Sequence, residues 1–343
     1  MPQFRNLVFE GGGVKGIAYV GAMEVLETKG ILSEIKRVGG TSAGAINALL
    51  LALGFSNKRQ QEILAELDFN KFMDDSFGAV RDTKRLVEKF GWHKGEFFRD
   101  WAGTLVKEQM GSRDATFRDL EEDGRPNLYV YGSNLSTGFS QVFSVEHTPT
   151  TRLVDAVRVS MSLPLFFAAV RDVRGDVLVD GGLLNNFPIK LFDREKYIAD
   201  AEVAAGARRT DYYDKENEGF LDGHPTRSPY VYNKQTLGFR LDTKNEIAVF
   251  RYGREPAHEA IDDFFDYTKA LIKTAINAQE NMHLHTDDWH RTVYIDALDV
   301  KSTDFDLSDK KKKVLLGSGR KGTEDYFAWF ETAAGEEAPV NRI

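Results

Sequence analysis

Short apolar runs alternate with longer amphipathic segments in the first part of the chain. Short runs bounded by glycine are typical of buried strands, whereas apolar residues that recur every three or four positions are typical of helices. The pattern predicts strands over residues 6–10 and 35–39 and helices over 15–29 and 43–53, with Gly54 ending the second helix. This strand–helix–strand–helix order favours a parallel sheet covered by helices, with functional sites at the carboxyl ends of the strands.

The rest of the chain continues these patterns around one polar interruption. Further strands are predicted over 128–131, 141–143, 176–179, 236–241 and 292–295, and further helices over 153–159, 257–282 and 307–330. Residues 58–110 have a mixed helical pattern, whereas residues 200–229 are polar, acidic and rich in glycine and tyrosine, which is typical of a long loop. We therefore expect a core in residues 1–199 and an extension in residues 200–343 that continues the same sheet and packs on the core, with a single domain as the alternative.

The composition narrows the class of protein. The chain of 343 residues is 42% apolar and 29% charged, which is typical of a folded globular protein. Its formal net charge of -8 argues against a broad nucleic-acid surface, which needs clustered lysine and arginine, so we expect no nucleic-acid partner. The sequence has no cysteine, and this excludes disulfides, a thiolate nucleophile and cysteine-ligated metals.

The sequence also gives an expectation about location. The first residues lack the basic segment followed by a long apolar segment that marks a cleavable signal peptide. The most apolar stretch, residues 43–53, is about half as long as a bilayer crossing requires. The absence of cysteine fits a reducing cytoplasm, and it fits exported bacterial proteins too. We expect a protein that is not transmembrane and that is either cytoplasmic or exported without a cleavable signal peptide.

A G-x-S-x-G motif, Gly40-Thr41-Ser42-Ala43-Gly44, lies between a predicted strand and a predicted helix. In this context the motif places the serine on a sharp bend, where its hydroxyl is exposed to substrate and the helix N-terminus favours developing negative charge. Because such a motif also arises by chance, the prediction of Ser42 as a nucleophile depends on the neighbouring glycine motifs as well.

A second glycine turn, residues 11–16, admits two interpretations. Attack of a serine on an ester creates an oxyanion, and the amides of Gly11, Gly12 and Gly13 are suited to stabilise it. The turn also satisfies G-x-G-x-x-G, the fingerprint of nicotinamide-dinucleotide-binding proteins. Such a protein would place an acidic residue at the end of the second strand, where residues 37–40 provide none. This favours the oxyanion interpretation, and a nicotinamide-dependent oxidoreductase is kept as the alternative.

A serine nucleophile needs a base. One candidate is a late histidine, as in the α/β-hydrolases: His283, His285 or His290. The other candidate is Asp180, which follows a predicted strand and begins a third glycine turn. In such a two-residue arrangement Asp180 itself would orient and deprotonate Ser42.

Together, these motifs resemble those of the patatin-like phospholipases. The matching elements are a loop of form G-G-G-x-[RK]-G at residues 11–16 with Lys15 and Gly16, G-T-S-A-G around Ser42 with Gly40 and Gly44, and D-G-G at Asp180, Gly181 and Gly182. The segment Ser160-Met161-Ser162-Leu163-Pro164 also looks like the family, and residues 236–242 do so less specifically. The resemblance covers about residues 5–195.

The resemblance implies a three-layer α/β/α fold with a mostly parallel central sheet, in which residues 1–199 form the catalytic core. It implies a dyad of Ser42 and Asp180, an acyl-enzyme on Ser42, and oxyanion stabilisation by Gly11 to Gly13. The implied reaction is hydrolysis of fatty-acyl esters of phospholipids or related lipids, without a metal or cofactor and with transient contact at the membrane interface. A catalytically inactive member of the family, acting in binding or storage, is the second alternative.

Three other clusters have both a structural and a functional interpretation. An apolar stripe over residues 97–105 is more typical of core packing than of a cap that touches lipid. The segment 283–290 approximates the spacing of a metal site but departs from it at Asp288, so we predict no metal there. The basic run 310–313 is more typical of a solvated helix face than of a contact with anionic lipid.

Overall fold

The structure is a computed structural model, and the residues it describes are 4–72, 90–199, 202, 207–208, 210–223, 227–243, 255, 258, 260–283 and 287–333. The strands in this part of the chain are β1 (Asn6–Phe9), β2 (Arg37–Thr41), β3 (Gly91–His93), β4 (Asn127–Asn134), β5 (Phe139–Phe143), β6 (Leu165–Phe167), β7 (Val170–Arg171), β8 (Val177–Asp180), β9 (Ala207–Arg208), β10 (Tyr232–Asn233), β11 (Thr236–Asp242) and β12 (Thr292–Asp296). The α-helices are α1 (Ala18–Thr28), α2 (Ala43–Ala52), α3 (Asn57–Glu66), α4 (Glu96–Met110), α5 (Phe117–Glu122), α6 (Leu153–Ser160), α7 (Gly182–Asn185), α8 (Asp211–Gly223), α9 (Phe264–His283) and α10 (Asp309–Ala333). The 3-10 helices are Gly13–Ile17, Leu32–Glu34, Phe69–Phe72, Ile189–Phe192, Glu195–Tyr197 and Asp287–Arg291.

A central sheet of eight strands organises this part of the chain. Its order is β12–β11–β1–β2–β4–β8–β7, and β5 also pairs with β4. The strands from β12 to β4 in this order are parallel, whereas β5, β7 and β8 join in antiparallel orientation. The predicted α/β class with a mostly parallel central sheet is confirmed. Strands β11 and β12 extend this sheet from the region after residue 200, and the proposed division of the chain near that residue stays a prediction.

Strand β4 is longer than its neighbours and aligns the ends of two of them. Strand β2 pairs with its first half, where Thr41 lies opposite Tyr131. Strand β8 runs against its second half, where Asp180 lies opposite Gly132. Strand β5 pairs with β4 over residues that belong to both halves, so β2 and β8 share the other edge of β4 and meet there end to end.

Successive residues of the sheet pack into two different apolar clusters, one on each face, as expected of strands that are covered on both faces. In β1, Leu7 and Phe9 belong to the larger cluster, to which helices α1, α2, α6 and α10 contribute. Val8 belongs to a smaller cluster on the other face, together with Phe187 and residues of the 3-10 helices that follow. The predicted stripe over 97–105 packs into the larger cluster, with Phe98 and Leu105 buried, which confirms the core-packing interpretation.

Two predicted elements differ from the observed ones. The helix expected over 15–29 starts with a 3-10 turn, and α1 proper begins only at Ala18. The stretch predicted as a long loop contains helix α8. The acidic composition of this stretch did not indicate that Tyr213 is buried. The hydroxyl of Tyr213 donates to the carboxylate of Asp193 and so holds the helix to the core. Residues 73–89, within the mixed helical pattern, lie outside the described residues.

A buried ion network ties the segment before β12 to the core. The guanidinium of Arg291 donates to Asp193 at 2.6 and 2.7 Å, to Asp288 at 2.7 Å and to the carbonyl of Asn233 at 2.9 Å. The side chains of Arg291 and Asp193 are 3% and 0% exposed. Removing one partner from a buried pair leaves a charge without compensation, which destabilises a protein more than loss of a surface pair does.

We predict that Arg291→Met lowers the free energy of unfolding by roughly 3–5 kcal/mol, because Asp193 and Asp288 would stay buried without their cation. The matched control is Arg113→Met, which removes an exposed pair with Asp100 at 2.6 Å and should cost less than about 1 kcal/mol. Urea denaturation measures both values. Equal losses in the two variants would contradict the structural role of the network.

Candidate active site

Ser42 lies on the sharp bend between β2 and α2. Its backbone has φ 53° and ψ -124°, a region that costs a non-glycine residue roughly 1–3 kcal/mol. Its carbonyl accepts from the amides of Ala45 and Ile46 at 2.9 and 3.2 Å, so the helix begins directly after the bend. The two glycines of the motif have a steric reason: a Cβ on Gly40 would lie 2.5 Å from the carbonyl carbon of Gly44, and one on Gly44 would overlap the carbonyl of the last residue of β1.

The last residue of α6 and the segment after it contact both candidate residues. The Ser42 amide donates to the hydroxyl of Ser160 at 2.9 Å, and the Ser42 hydroxyl lies 3.7 Å from the sulfur of Met161. The carbonyl of Ser162 accepts from the amide of Asp180 at 2.9 Å. The motif over 160–164, which sequence analysis singled out without a role, therefore joins the end of β2 to the end of β8.

Asp180 is a buried carboxyl beside this serine. Only 2% of the residue is exposed, and burial raises the pKa of Asp180 to about 7. The amide of Gly182 donates to Oδ1 at 2.7 Å, and this bond and the nearby Ser42 hydroxyl each lower the pKa in part. A Cβ on Gly181 would lie 2.5 Å from the carbonyl of Tyr131, so β4 packs closely against this turn. The carboxyl thus has both protonation states accessible near neutral pH.

The first glycine turn lies beside Ser42, because a Cβ on Gly11 would come within 3.2 Å of the Ser42 Cβ. The Gly11 amide donates to the carbonyl of Asn186 at 3.0 Å, and the Asn186 side chain donates back to the Gly11 carbonyl at 3.2 Å. Among the described residues, no protein acceptor is found for the amides of Gly12 and Gly13. Of the three predicted oxyanion donors, the amide of Gly11 thus already has an acceptor within the protein, whereas the amides of Gly12 and Gly13 are available to a substrate.

Residues from the far end of the chain support this turn. A Cβ on Gly12 would lie 2.7 Å from the Leu241 side chain in β11. Gly13 has φ +56°, and a Cβ there would overlap the carbonyl of Ser302, which accepts from the amide of Val14 at 3.2 Å. Sequence analysis did not find Asn186 or Ser302, and it noted Leu241 only within a segment that resembles the family, because no local motif marks a contact with so distant a residue.

The other motif residues pack the turn onto α2. Lys15 is buried in the 3-10 helix that follows the glycines. A Cβ on Gly16 would lie 3.0 Å from the Cβ of Ala43, so glycine permits the close approach to the helix. A Cβ on Gly182 would lie 3.1 Å from Oδ1 of Asp180, and this small residue leaves room for the carboxyl.

His290, the candidate histidine that the structure describes in full, does not join this site. His290 precedes β12, so it lies at the amino end of a strand parallel to β2, and its ring stacks on Trp289 with centroids 3.5 Å apart. His285 and the side chain of His283 lie outside the described residues. Asp288 pairs with Arg291. Within the ranges that the structure describes, no group of three histidine or acidic side chains is arranged to hold a metal ion.

The chain belongs to the patatin-like phospholipase family, whose model matches residues 7–193. It is similar to the uncharacterized protein YqhO of Bacillus subtilis, with 29% identity over 333 residues that cover 92% of this chain and 96% of the relative. It is also similar to the probable lipid hydrolase 463L of Invertebrate iridescent virus 6, with 24% identity over 188 residues that cover 55% of this chain and 63% of the relative. Family and relatives support a hydrolase as the class of protein.

A solved structure shows the same fold. The crystal structure of VipD from Legionella pneumophila superimposes with a TM-score of 0.56 and 17% identity, covering 95% of this chain and 67% of VipD. In the described part of this chain, every helix is too short or too polar to cross a bilayer.

We expect Asp180→Asn to make the folded protein more stable, and increasingly so as the pH rises. The neutral carboxyl is favoured in the fold, where the pKa is about 7 instead of the ordinary 3.8. The stability that the neutral carboxyl contributes is complete below 3.8, the pKa in the unfolded chain. It is lost as the pH rises from there through the folded pKa of about 7. Asparagine cannot ionise and escapes the loss, which is at most about 4 kcal/mol.

Thermal unfolding of both proteins at about pH 5 and about pH 8.5 tests this expectation. Asp100→Asn is the control, since its side chain is 72% exposed. If Asp180→Asn changed the melting temperature equally at the two pH values, the carboxyl would not be buried in the way described.

Proposed function

We propose that this protein is a lipid acyl hydrolase of the phospholipase A or lysophospholipase type, with Ser42 as nucleophile and Asp180 as general base. The observation that carries the proposal is the end-to-end meeting of β2 and β8 along β4, which brings the serine bend beside a buried carboxyl. A lipid ester as the substrate is consistent with the family and with the relative named as a probable lipid hydrolase.

In the acylation step, Oγ of Ser42 attacks the ester carbonyl carbon while its proton passes to Asp180. The negative charge that develops on the carbonyl oxygen is stabilised by the amides of Gly12 and Gly13 and by the N-terminus of α2. The bond to the leaving alcohol then breaks, and this alcohol takes the proton from Asp180. The products are an acyl-enzyme on Ser42 and a lysolipid or glycerol derivative.

Deacylation repeats these steps with water. A water molecule gives its proton to Asp180 and attacks the acyl carbon, and the same amides stabilise the second oxyanion. Collapse of this intermediate releases the fatty acid and returns the proton to Oγ of Ser42. The cycle needs no other reactant, and Asp180 both accepts and donates a proton in each half, which suits a pKa of about 7.

The dinucleotide alternative is disfavoured by the same geometry. A dinucleotide-binding unit would need an acidic side chain at the end of β2 to hold a ribose, and here β2 ends at Thr41 with the serine bend directly after it. Nicotinamide dinucleotides should therefore leave the melting temperature of the protein unchanged.

We predict that Ser42→Ala lowers the turnover of a p-nitrophenyl ester and of a phospholipid by at least about a thousandfold, because no nucleophile is left. Asp180→Asn should lose nearly as much, since the hydroxyl would have no base. Ser33→Ala and Asp100→Asn, both at exposed positions, are the matched controls. Wild-type protein should be labelled by a fluorophosphonate probe, and the Ser42→Ala protein should not.

Several results would contradict the dyad. Turnover retained in either variant excludes the assigned role of that residue, and absence of labelling in the wild type indicates the inactive binding protein instead. Activity should also survive EDTA, because a large loss would indicate a metal-dependent reaction.

The pH dependence provides a separate test. The value of kcat/KM for a soluble short-chain ester should rise about tenfold per pH unit on the acid side and level off above pH 7, because only ionised Asp180 accepts the proton and its pKa is about 7. The residual activity of Asp180→Asn should lack this acid limb. A limb centred near the ordinary aspartate value of 3.8 would show that a carboxyl without this burial controls the reaction.

A further inference from the structure

Two turns protrude from the carboxyl edge of the sheet. One joins β4 to β5 and the other joins β7 to β8. Asn134 pairs with Phe139 on one side and with Leu178 on the other, so both turns leave the sheet at the same end of β4. This is the end beyond Gly132, the residue opposite Asp180. Three more residues of extended chain place Leu135 roughly 10 Å further out than the candidate site.

The two turns and the first residue of β5 expose apolar side chains near this end of the sheet. Leu135, Phe139 and Val173 are 48%, 73% and 104% exposed. None of the three contributes to the two apolar clusters of the fold. Adjacent apolar residues that protrude without a role in the core mark an interaction surface. We call residues 135–139 and 172–176 the paired tips.

Hydrogen bonds hold the paired tips together as one rigid platform. The amide of Leu135 donates to the carbonyl of Val177 at 2.9 Å, and the amide of Val177 donates to the hydroxyl of Ser136 at 2.9 Å. The side-chain amide of Asn134 donates to the carboxylate of Asp176 at 2.9 Å. Because the platform is formed before any partner binds, docking requires little further ordering of the chain.

The acidic side chains of the paired tips are less exposed than the arginine beside them. Asp172 accepts from the amides of Arg174 and Asp176 at 2.8 and 2.9 Å, within its own turn. The guanidinium of Arg174 lies 3.5 Å from the carboxylate of Asp172 and 3.9 Å from that of Asp176, but its side chain is 72% exposed, whereas those of the two aspartates are 22% and 23% exposed. Arg171, directly before this turn, is exposed as well, and its guanidinium donates to the carbonyl of Gly175 at 3.0 Å. The outward surface therefore combines apolar side chains with guanidinium groups, which is complementary to acyl chains beneath phosphate headgroups.

We propose that the paired tips are the membrane-docking surface of this protein and that a phospholipid bilayer is their occupant. Leu135, Phe139 and Val173 enter the boundary between headgroups and acyl chains, and Arg171 and Arg174 contact lipid phosphates. The choice of a bilayer rests on the proposed function, because a hydrolase of membrane lipids must bring its site to the interface. A second copy of the chain is a poorer occupant, since three side chains supply much less than the roughly 800 Å² per partner of a stable dimer.

The first test measures binding to vesicles of phosphatidylcholine and phosphatidylglycerol by co-sedimentation. All proteins carry Ser42→Ala, so the lipids stay intact and binding is measured without turnover. The variant Leu135→Ser/Phe139→Ser/Val173→Ser should reduce the partition coefficient roughly 10- to 100-fold. The matched control is Tyr212→Ser, which removes a ring that is 51% exposed and should bind as the parent does. Its neighbour Tyr213 donates to Asp193, which pairs with Arg291 directly before β12, so this control lies near the amino end of that strand.

A second test uses the absence of cysteine from the chain. Val173→Cys and Tyr212→Cys each provide a single position for an environment-sensitive fluorophore. On addition of the same vesicles, the emission of the probe at position 173 should shift to the blue, and a bilayer-embedded quencher should reduce it. The probe at position 212 should respond to neither.

The outcomes separate docking from catalysis. No vesicle binding by the parent, equal binding by the triple variant, or equal responses at the two labelled positions would overturn the docking proposal. So would a triple variant that changed only self-association in size-exclusion chromatography, because the tips would then bind a second copy. In an otherwise wild-type background, the triple variant should hydrolyse a soluble short-chain ester at the unchanged rate. Binding through the tips without lipid hydrolysis by the wild type would refute the proposed function alone.

Discussion

The backbone ladder along β4 is the constraint on which the candidate site depends. Thr41 and Asp180 lie opposite the consecutive residues Tyr131 and Gly132. Hydrogen bonds between strands therefore determine where β2 ends in the serine bend and where β8 places the carboxyl of Asp180. Neither position depends on a flexible loop. A slip of one residue in the register of β8 would turn Asp180 to the opposite face of the sheet. The contact of the amide of Asp180 with Ser162 and of the amide of Ser42 with Ser160 fixes the same alignment from a second direction.

The site also contains two unfavourable features that the rest of the fold must offset. Ser42 has a backbone conformation that glycine would adopt more easily, and Asp180 is buried with a raised pKa. Both features are held by close packing at glycines. Gly40 and Gly44 let α2 pack closely against β1 and β2, and Gly181 lets the turn after Asp180 pack closely against β4; a side chain at any of these positions would prevent the contact. A proton acceptor near neutrality is a consequence of the same burial that costs stability, so the two properties cannot be separated at this position.

Periodicity in the sequence was sufficient for most elements near the site. Strands β1, β2, β8 and β11 and helix α2 lie within about two residues of the predicted bounds, since short apolar runs bounded by glycine specify them locally. Apolar patterning does not determine strand direction, however, and so it could not show that β8 runs antiparallel to β4. Nor could apolar patterning show that the amide of Gly11, one of the three predicted oxyanion donors, donates to the carbonyl of Asn186. Helix α8 forms despite its acidic composition and is held to the core by the buried Tyr213 and by the side chain of Asn217, which pairs with the backbone of Tyr230.

The family motifs do not contain all of the supports of the site. The match to the family covers residues 7–193, yet the turn at Gly12 and Gly13 packs against Leu241 and against the carbonyl of Ser302. Leu241 is in turn fixed by its amide, which donates to the buried carboxylate of Glu10 at 2.7 Å, directly before the turn. A chain that ended at residue 193 would keep every motif but lose these contacts. The amides of Gly12 and Gly13 would then lose the packing that fixes their direction. The later part of the chain, through Leu241 in β11 and Ser302 after β12, therefore supports the turn at Gly12 and Gly13 on which the proposed mechanism depends, although neither residue reacts in that mechanism.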